Sequence, residues 1–420
     1  MQSIIKELTL VTILILFYFI FYFDQSLTNE IIFISFCLLL HIEVLIRTSK
    51  SSALLLLSIF ATTYPIYILI ATILDVKYHV YIQYQTMYYT ALVFFIQTIS
   101  LRIMFFRLEG NHYLQGKLSD IIQRKNNPYI FILLLLLISA MLFLSIHDKK
   151  NFVISGGYSI ESASSIFFEY CIPVLICLWL YSKKSSANII TVIFFFIFIL
   201  LPLFFGRRLP FTMVSLLFFN LYLFNYFSRS KTLLLTSAVF IFLSLLAVTR
   251  IGGESSIIEA ILAINSNGIM ENNQGGVVIS AATYLGLIDD GYFDFEFGIN
   301  SLLGMLTSPF LTSDLTPPET YINFEALRHA SIPGNGGFPG VYFYIWLGWP
   351  GVIIMSILLN RVIFCFGKNQ LLTILVIFIL STFPRWYAYN MIILFKMTFW
   401  LIMLFIILNT IHHRIIKYRK

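Results

Sequence analysis

The stretch FFGRRLPF, Phe204–Phe211, sets two adjacent arginines, Arg207 and Arg208, between two strongly apolar runs. The runs on either side, 187–205 and 210–227, are each long enough to cross hydrocarbon as a helix, which takes roughly 17 to 25 residues. Gly206 and Pro210 bracket the pair, permitting a tight turn and a clean helix restart. The stretch reads as the closed end of a helical hairpin in a membrane. It raises the question of which anion two fixed charges would meet there.

The rest of the chain fits that reading. Of 420 residues, 59% are hydrophobic and 11% charged, and the mean hydropathy is +0.87. A water-soluble domain could not hide that much apolar side chain, so the expected class is an all-α polytopic membrane protein. The net charge of +7 must then be read loop by loop, and it implies no nucleic-acid partner. Cys37, Cys171, Cys177 and Cys365 lie in apolar runs without CxxC spacing, which predicts core or lipid-facing thiols, no disulfide framework and no metal site. An apolar run at 8–23 follows Lys6, but FYFDQSLTNE after it offers no small-x-small cleavage site, so it is read as the first span rather than a signal peptide.

On length and hydropathy, spans are predicted near 8–23, 31–46, 53–74, 85–104, 128–146, 164–181, 187–205, 210–227, 232–249, 338–359, 370–383 and 387–411. About twelve crossings put both ends on one side. Most of the 27 lysines and arginines fall in segments that share a side with the N-terminus, the basic tail HHRIIKYRK among them. The positive-inside rule therefore predicts cytoplasmic termini. Three regions result: helices 1–9 over 1–249, a large periplasmic loop with short helices over 250–337, and helices 10–12 with the tail over 338–420. A connection of that length usually carries function or structure of its own. Within it, ESSIIEAILAI (Glu254–Ile264) has amphipathic helical spacing, DDGYFDFEFG mixes acids with aromatics in a way that suits carbohydrate, and SPFLTSDLTPPET is turn-rich.

On this topology Arg207 and Arg208 sit on the outer face, where positive charge is disfavoured. Arg250 follows span 9 at the same end, and Arg385 lies in the tight hairpin FPRWYAYN, so guanidinium groups are expected to gather at one depth. Arginine's planar fork pairs bidentately with phosphate, and a lipid diphosphate is the natural anion for such a group.

A second constellation precedes span 10. In NFEALRHASIPGNGGFPGVYFYIWLGWPG, Asn323–Gly351, Glu325 would meet Arg328 at i+3 and His329 at i+4 on one helical turn. That brings a carboxylate, a guanidinium and an imidazole together, and His329 or Glu325 could accept a proton from a hydroxyl. The run PGNGGFPG would let backbone approach a ligand closely or enter the membrane irregularly. Intramembrane ionisable residues are functional candidates. Glu169, in the first turns of span 6, and Tyr342 are candidates for the cavity wall. Lys396 in span 12 is a candidate partner for Glu169, and Glu43 is read as snorkelling to the end of span 2.

The GRRLPF-type turn after span 7 and the glycine-rich lead into an aromatic span, IPGNGGFPGVYFYIWLGWPGV, together with twelve spans and one long late loop, resemble an O-antigen polymerase of the Wzy type. The resemblance covers the whole chain in topology and these two stretches in residues. It implies a C-type (GT-C-like) helical glycosyltransferase, akin to the O-antigen ligases, in the bacterial inner membrane. Such enzymes need no metal or other cofactor. They pass a glycan from an undecaprenyl-pyrophosphate-linked donor to a sugar hydroxyl of a lipid-linked acceptor at the periplasmic face. The resemblance also implies a chain-length regulator as partner, places the family's outer-loop arginines on Arg207, Arg208 and Arg250, and makes His329 the counterpart of the ligase histidine. The arginines would stabilise charge on the leaving diphosphate, and in-line attack would invert the anomeric carbon.

Two rivals share the composition. A lipid-linked oligosaccharide flippase would also have about twelve spans but little use for a long outer loop. A membrane O-acyltransferase would want its histidine in early spans, where only His41 and Glu43 occur.

Overall fold

A computed structural model describes residues 2–49, 51–73, 87–106, 121–147, 166–204, 207–223, 230–232, 234, 273–312, 314–330 and 336–419. Among these there is no β-strand, only an isolated bridge between Asn126 and Ser182. Among the described residues eight helices are long and apolar enough to cross a membrane, so this is an α-helical membrane protein. They are α1 (Gln2–Phe23), α2 (Leu27–Thr48), α3 (Ser52–Ile73), α4 (Met87–Met104), α5 (Pro128–His147), α7 (Ser185–Phe204), α12 (Pro339–Ile363) and α15 (Ile392–Arg419). Three apolar helices are shorter: α6 (Phe167–Leu180), α8 (Arg208–Phe218, continued as a π turn over Phe219–Leu223) and α13 (Gln370–Ser381). The predicted span at 232–249 and the predicted helix at Glu254–Ile264 lie almost wholly outside the described residues.

The chain divides into two compact units. The first comprises Met1–Asn111, Ile261–Phe364 and Trp386–Ile392. Ser26 caps α2 by accepting the Asn29 amide at 3.3 Å. The buried side of α2 then follows helical spacing through Phe33, Cys37, Leu40, Val44 and Thr48. Its outward residues Ile32, Leu39, Ile42 and Ile46 are also apolar, as hydrocarbon requires. Helix α4 is buried on nearly every side and forms the axis of this unit.

Helix α12 is not straight. Its backbone leaves the helix at Leu347 and Gly348, and Gly348 takes φ 63°, a left-handed value suited to glycine. The Gly340 N–H donates to Gln97 Oε1 at 3.1 Å, while Ser356 meets Ser100 at 2.8 Å. A straight helix would hold Gly340 and Ser356 about 24 Å apart, yet both reach the same stretch of α4. The first arm of α12 therefore starts deep beside α4, bends at Leu347–Gly348 and returns. Of the glycine-rich run, residues 336–338 have buried, non-helical backbone, and Gly337 N–H donates to Ala388 O at 3.1 Å.

The segment expected to be a large loop contains α9 (Asn273–Asp289), α10 (Phe295–Thr307), a 3₁₀ turn (Pro318–Thr320) and α11 (Ile322–His329). Short helices were expected there, and α9 is a 17-residue helix packed within the first unit. Val277, Val278, Ile279, Ala281, Ala282, Tyr284, Leu285 and Leu287 are all buried, and α9 packs against α3, α4, α11 and α12. Tyr89, near the start of α4, donates to Asp289 at 3.0 Å. Residues 273–289 thus belong to the helical core. Glycine, serine, alanine and threonine give α9 too little hydropathy to read as a span, but those small side chains allow close helix contact.

The second unit comprises His112–Ala260, Cys365–Arg385 and Ile393–Lys420. Helices α5 to α8 follow one another up and down. The strand-like segment before α5 is tied to the end of α6: Lys125 N–H donates to Leu180 O at 2.7 Å and Lys183 N–H to Lys125 O at 3.2 Å. Arg124 donates to Trp179 O at 3.3 Å and Asn188 Oδ1 at 2.6 Å, Lys125 bonds Asn409, and Asn127 pairs with His412 at 3.2 Å. Burial pulls both the Arg124 guanidinium and the Lys125 ammonium below their ordinary pKa. The basic tail is consequently part of α15, which runs to Arg419 rather than ending near 411.

Candidate functional site

In the second unit, Arg207 and Arg208 begin α8. Arg207 has left the helical conformation (φ −95°, ψ 90°), and its N–H donates to Pro202 O at 2.7 Å, closing the turn from α7. Pro210 falls in the first turn of α8, where an absent N–H costs no helix bond. Both arginines are half-buried. Gly206 and Arg250 lie outside the described residues.

Arg385 is on α14 (Phe383–Ala388), anchored by its N–H to Thr382 O at 3.0 Å. Its Nε stands 3.4 Å from Glu169 Oε2, an ion pair without hydrogen-bond alignment. Glu169 lies in the first turn of α6, where the helix dipole favours a carboxylate. The partner of Glu169 is thus Arg385 and not Lys396. Phe168 packs edge-on against Phe198 of α7, 6.3 Å between ring centres, which fixes the level of Glu169 on that helix. From Phe198 to the end of α7 at Phe204 is about 9 Å of helix. By backbone position Arg207 and Arg208 follow the end of α7, beyond Phe198 in the chain, while Glu169 and Arg385 are joined as an ion pair.

In the first unit, α11 brings Glu325 and Arg328 together as their spacing implied. Arg328 Nη1 is 2.8 and 2.9 Å from the two oxygens of Glu325. The Glu325 side chain is largely buried, whereas Arg328 is 66% exposed. His329 does not join them: its ring stacks on Tyr292 at 4.3 Å between centres, at the exposed end of the helix. The expected three-residue cluster is thus a carboxylate–guanidinium pair with a separately held imidazole. Tyr342 is fully buried; its hydroxyl donates to Tyr389 O at 2.7 Å and lies 3.3 Å from Asn323 Oδ1, which Tyr284 also contacts. Tyr342 therefore ties α11, the first arm of α12 and the segment after α14 together and does not line open space.

Among the described residues of the first unit, the largest ionic feature is one the sequence did not reveal. Arg102, at the end of α4, reaches Glu7 Oε2 at 2.6 Å and Glu43 Oε2 at 2.9 Å. Arg47 reaches Glu43 Oε1 at 2.7 Å and also pairs with Glu7. The four groups close a ring of alternating sign across α1, α2 and α4, with Lys6 adding a contact to Glu43 at 2.7 Å. Glu43 is therefore an ion-pair partner inside the bundle, not a snorkelling residue. Its i,i+4 relation to Arg47 was visible in the sequence, but closure through Glu7 and Arg102 needed three helices to pack.

No protein-family model, curated protein or solved structure matches this chain.

Proposed function

We propose that the chain is a membrane glycosyltransferase that extends a glycan carried on undecaprenyl pyrophosphate, an O-antigen polymerase. In this reading it crosses the bacterial inner membrane about twelve times, in a C-type (GT-C-like) arrangement, with both termini in the cytoplasm. The observation that carries the reading is the adjacent pair Arg207 and Arg208, held at the turn between two apolar helices. Cations kept at a membrane boundary by helix geometry suit a diphosphate whose lipid tail lies alongside.

The chemistry follows from the groups present. The sugar C1–O bond breaks with its electron pair leaving on the diphosphate, and guanidinium groups stabilise the charge that develops there. The acceptor hydroxyl oxygen bonds C1 from the opposite face, inverting the anomer, and its proton passes to His329 or Glu325. Arg328, paired with Glu325 and exposed, is a further candidate phosphate ligand. Cofactors are not required, and the partners are the lipid-linked donor and acceptor, the bilayer and a chain-length regulator.

A transporter of lipid-linked oligosaccharide is the second reading. A transporter would have little use for a large outer loop between the ninth and tenth spans. Purified protein supplied with lipid-linked repeat units in detergent separates the two: a ladder of longer glycans supports the polymerase, and unchanged substrate refutes it. Arg207→Ala and Arg208→Ala should each lower ladder formation at least tenfold. Full activity in both variants would remove the diphosphate role.

A further inference from the structure

Helix α10 is built inside out. The residues it turns inward are small or polar: Gly298, Ser301, Gly304 and Ser308, with Met305 among them. A Cβ at Gly298 would collide with the carbonyl oxygens of Ile345 and Trp346, and one at Gly304 with the Thr320 side chain. Backbone therefore rests directly on α12 and the 3₁₀ turn, and Ser301 Oγ accepts the Trp346 indole N–H at 3.1 Å. The outward side carries the bulk: Phe295 is 73% exposed, Leu303 52%, Leu306 49% and Phe310 70%, with Ile299 between them. The spacing 295, 299, 303, 306 is one helical stripe, and Phe310 follows it in the turn after α10. In water such a helix would show the opposite pattern, since exposed contiguous apolar stripes mark interaction surfaces.

The position of α10 says what covers the stripe. Gly298 and Ser301 lie against Ile345–Trp346, at the bend of α12. Trp349, just past the bend, packs edge-on against Phe95 at 5.4 Å between ring centres. Phe95 is close to the middle of α4, roughly 12 Å from either end. The bend thus sits at the depth of a membrane-crossing helix, and α10 leans on it from outside. On α12 itself Ile353, Ile354, Ile357 and Leu358 are exposed, so the apolar exterior of the first unit continues from one helix to the other. The acidic side chains Asp289, Asp290, Asp294 and Glu296 gather at the start of α10 and are exposed, which places water at that end.

We propose that α10 is a lipid-embedded helix lying in the membrane boundary, with the Phe295–Ile299–Leu303–Leu306 stripe, and Phe310 after it, in the acyl-chain region of one leaflet. It spans nothing: at 13 residues it reaches only about 20 Å. Its role is to hold the α11 segment, with Glu325, Arg328 and His329, at the level of the headgroups. This assignment does not depend on the glycosyltransferase reading.

The full chain in lipid nanodiscs tests it. Cys37, Cys171 and Cys177 are buried and Cys365 is partly accessible, so Cys365→Ser supplies a background in which single new cysteines can carry a nitroxide. Labels on Ile299→Cys, Leu303→Cys and Leu306→Cys should collide with oxygen several-fold more than with a water-soluble nickel complex. Labels on Glu296→Cys and Thr307→Cys, on the flanks, should show the reverse preference. Nickel-accessible labels at 303 and 306 would put the stripe in water and overturn the assignment. Exclusion of both reagents would mean that protein covers it, with the same consequence. Should the labels perturb folding, a photoreactive benzoyl-phenylalanine in place of Phe295 or Phe310 gives a second reading: crosslinks to lipid support the proposal, and crosslinks to protein alone defeat it.

Discussion

Arg102 and Glu7 are bound by two hydrogen bonds, from Nε at 3.1 Å and Nη2 at 2.6 Å, both to the same carboxylate oxygen. The residues are 95 positions apart in sequence, and the Arg102 side chain is almost wholly buried. Removing one member of a buried ionic network costs more than removing an opposite pair, because a lone charge stays behind. Arg102→Gln should therefore destabilise the protein by about 3 kcal/mol. The double variant Glu7→Gln/Arg102→Gln should recover part of that loss. Thermal unfolding in detergent, read as a double-mutant cycle, measures the coupling; additive single losses would mean the ring contributes no net interaction.

Two glycines make a sharp contrast. Gly298→Ala drives a methyl into the backbone carbonyls of Ile345 and Trp346, and overpacking against backbone costs about 1–3 kcal/mol or more. At Gly276, near the start of α9, an added methyl would meet nothing within 4 Å. Gly276→Ala should be neutral or stabilising by up to about 1 kcal/mol, since alanine is the better helix former. Melting temperatures of the two variants should move in opposite directions or differ by several degrees.

Tyr342→Phe deletes one hydroxyl and leaves the Tyr389 carbonyl without that donor. A lost buried hydrogen bond with its acceptor left behind costs about 1–3 kcal/mol. The change should also speed hydrogen exchange in 383–390 while leaving α1 and α2 protected, because the bond ties that segment to the first arm of α12. Uniform loss of protection across the chain would contradict this local role.

Glu169 and Arg385 form a partly exposed, imperfectly aligned pair, so its contribution to stability is small. Glu169→Gln should cost no more than about 1 kcal/mol. Under the proposed function, Arg385→Ala should lower glycan extension while the melting temperature changes little, and Arg385→Lys should restore only part of it. Equal activity for Arg385→Ala and the parent chain would leave Arg385 a structural residue.

Hydropathy alone was enough to show a helical membrane protein, and it located most of the apolar helices near their observed bounds, because exclusion from water depends on local composition over about 20 residues. The i,i+3 pairing of Glu325 with Arg328 was equally legible, since one helical turn determines it. What no local window contains is the partner a polar group finds across the bundle. Glu7 with Arg102 and Glu169 with Arg385 unite residues from helices far apart in the chain. The turning of His329 toward Tyr292 depends on where the loop before α10 passes. Helix α9 escaped notice because small residues lower hydropathy while permitting the close contact that buries them. The bend at Leu347–Gly348 turns one apparent span into two arms. Desolvated polar groups must pair with something, but which pair forms is a property of how the helices pack, and packing is decided only in three dimensions.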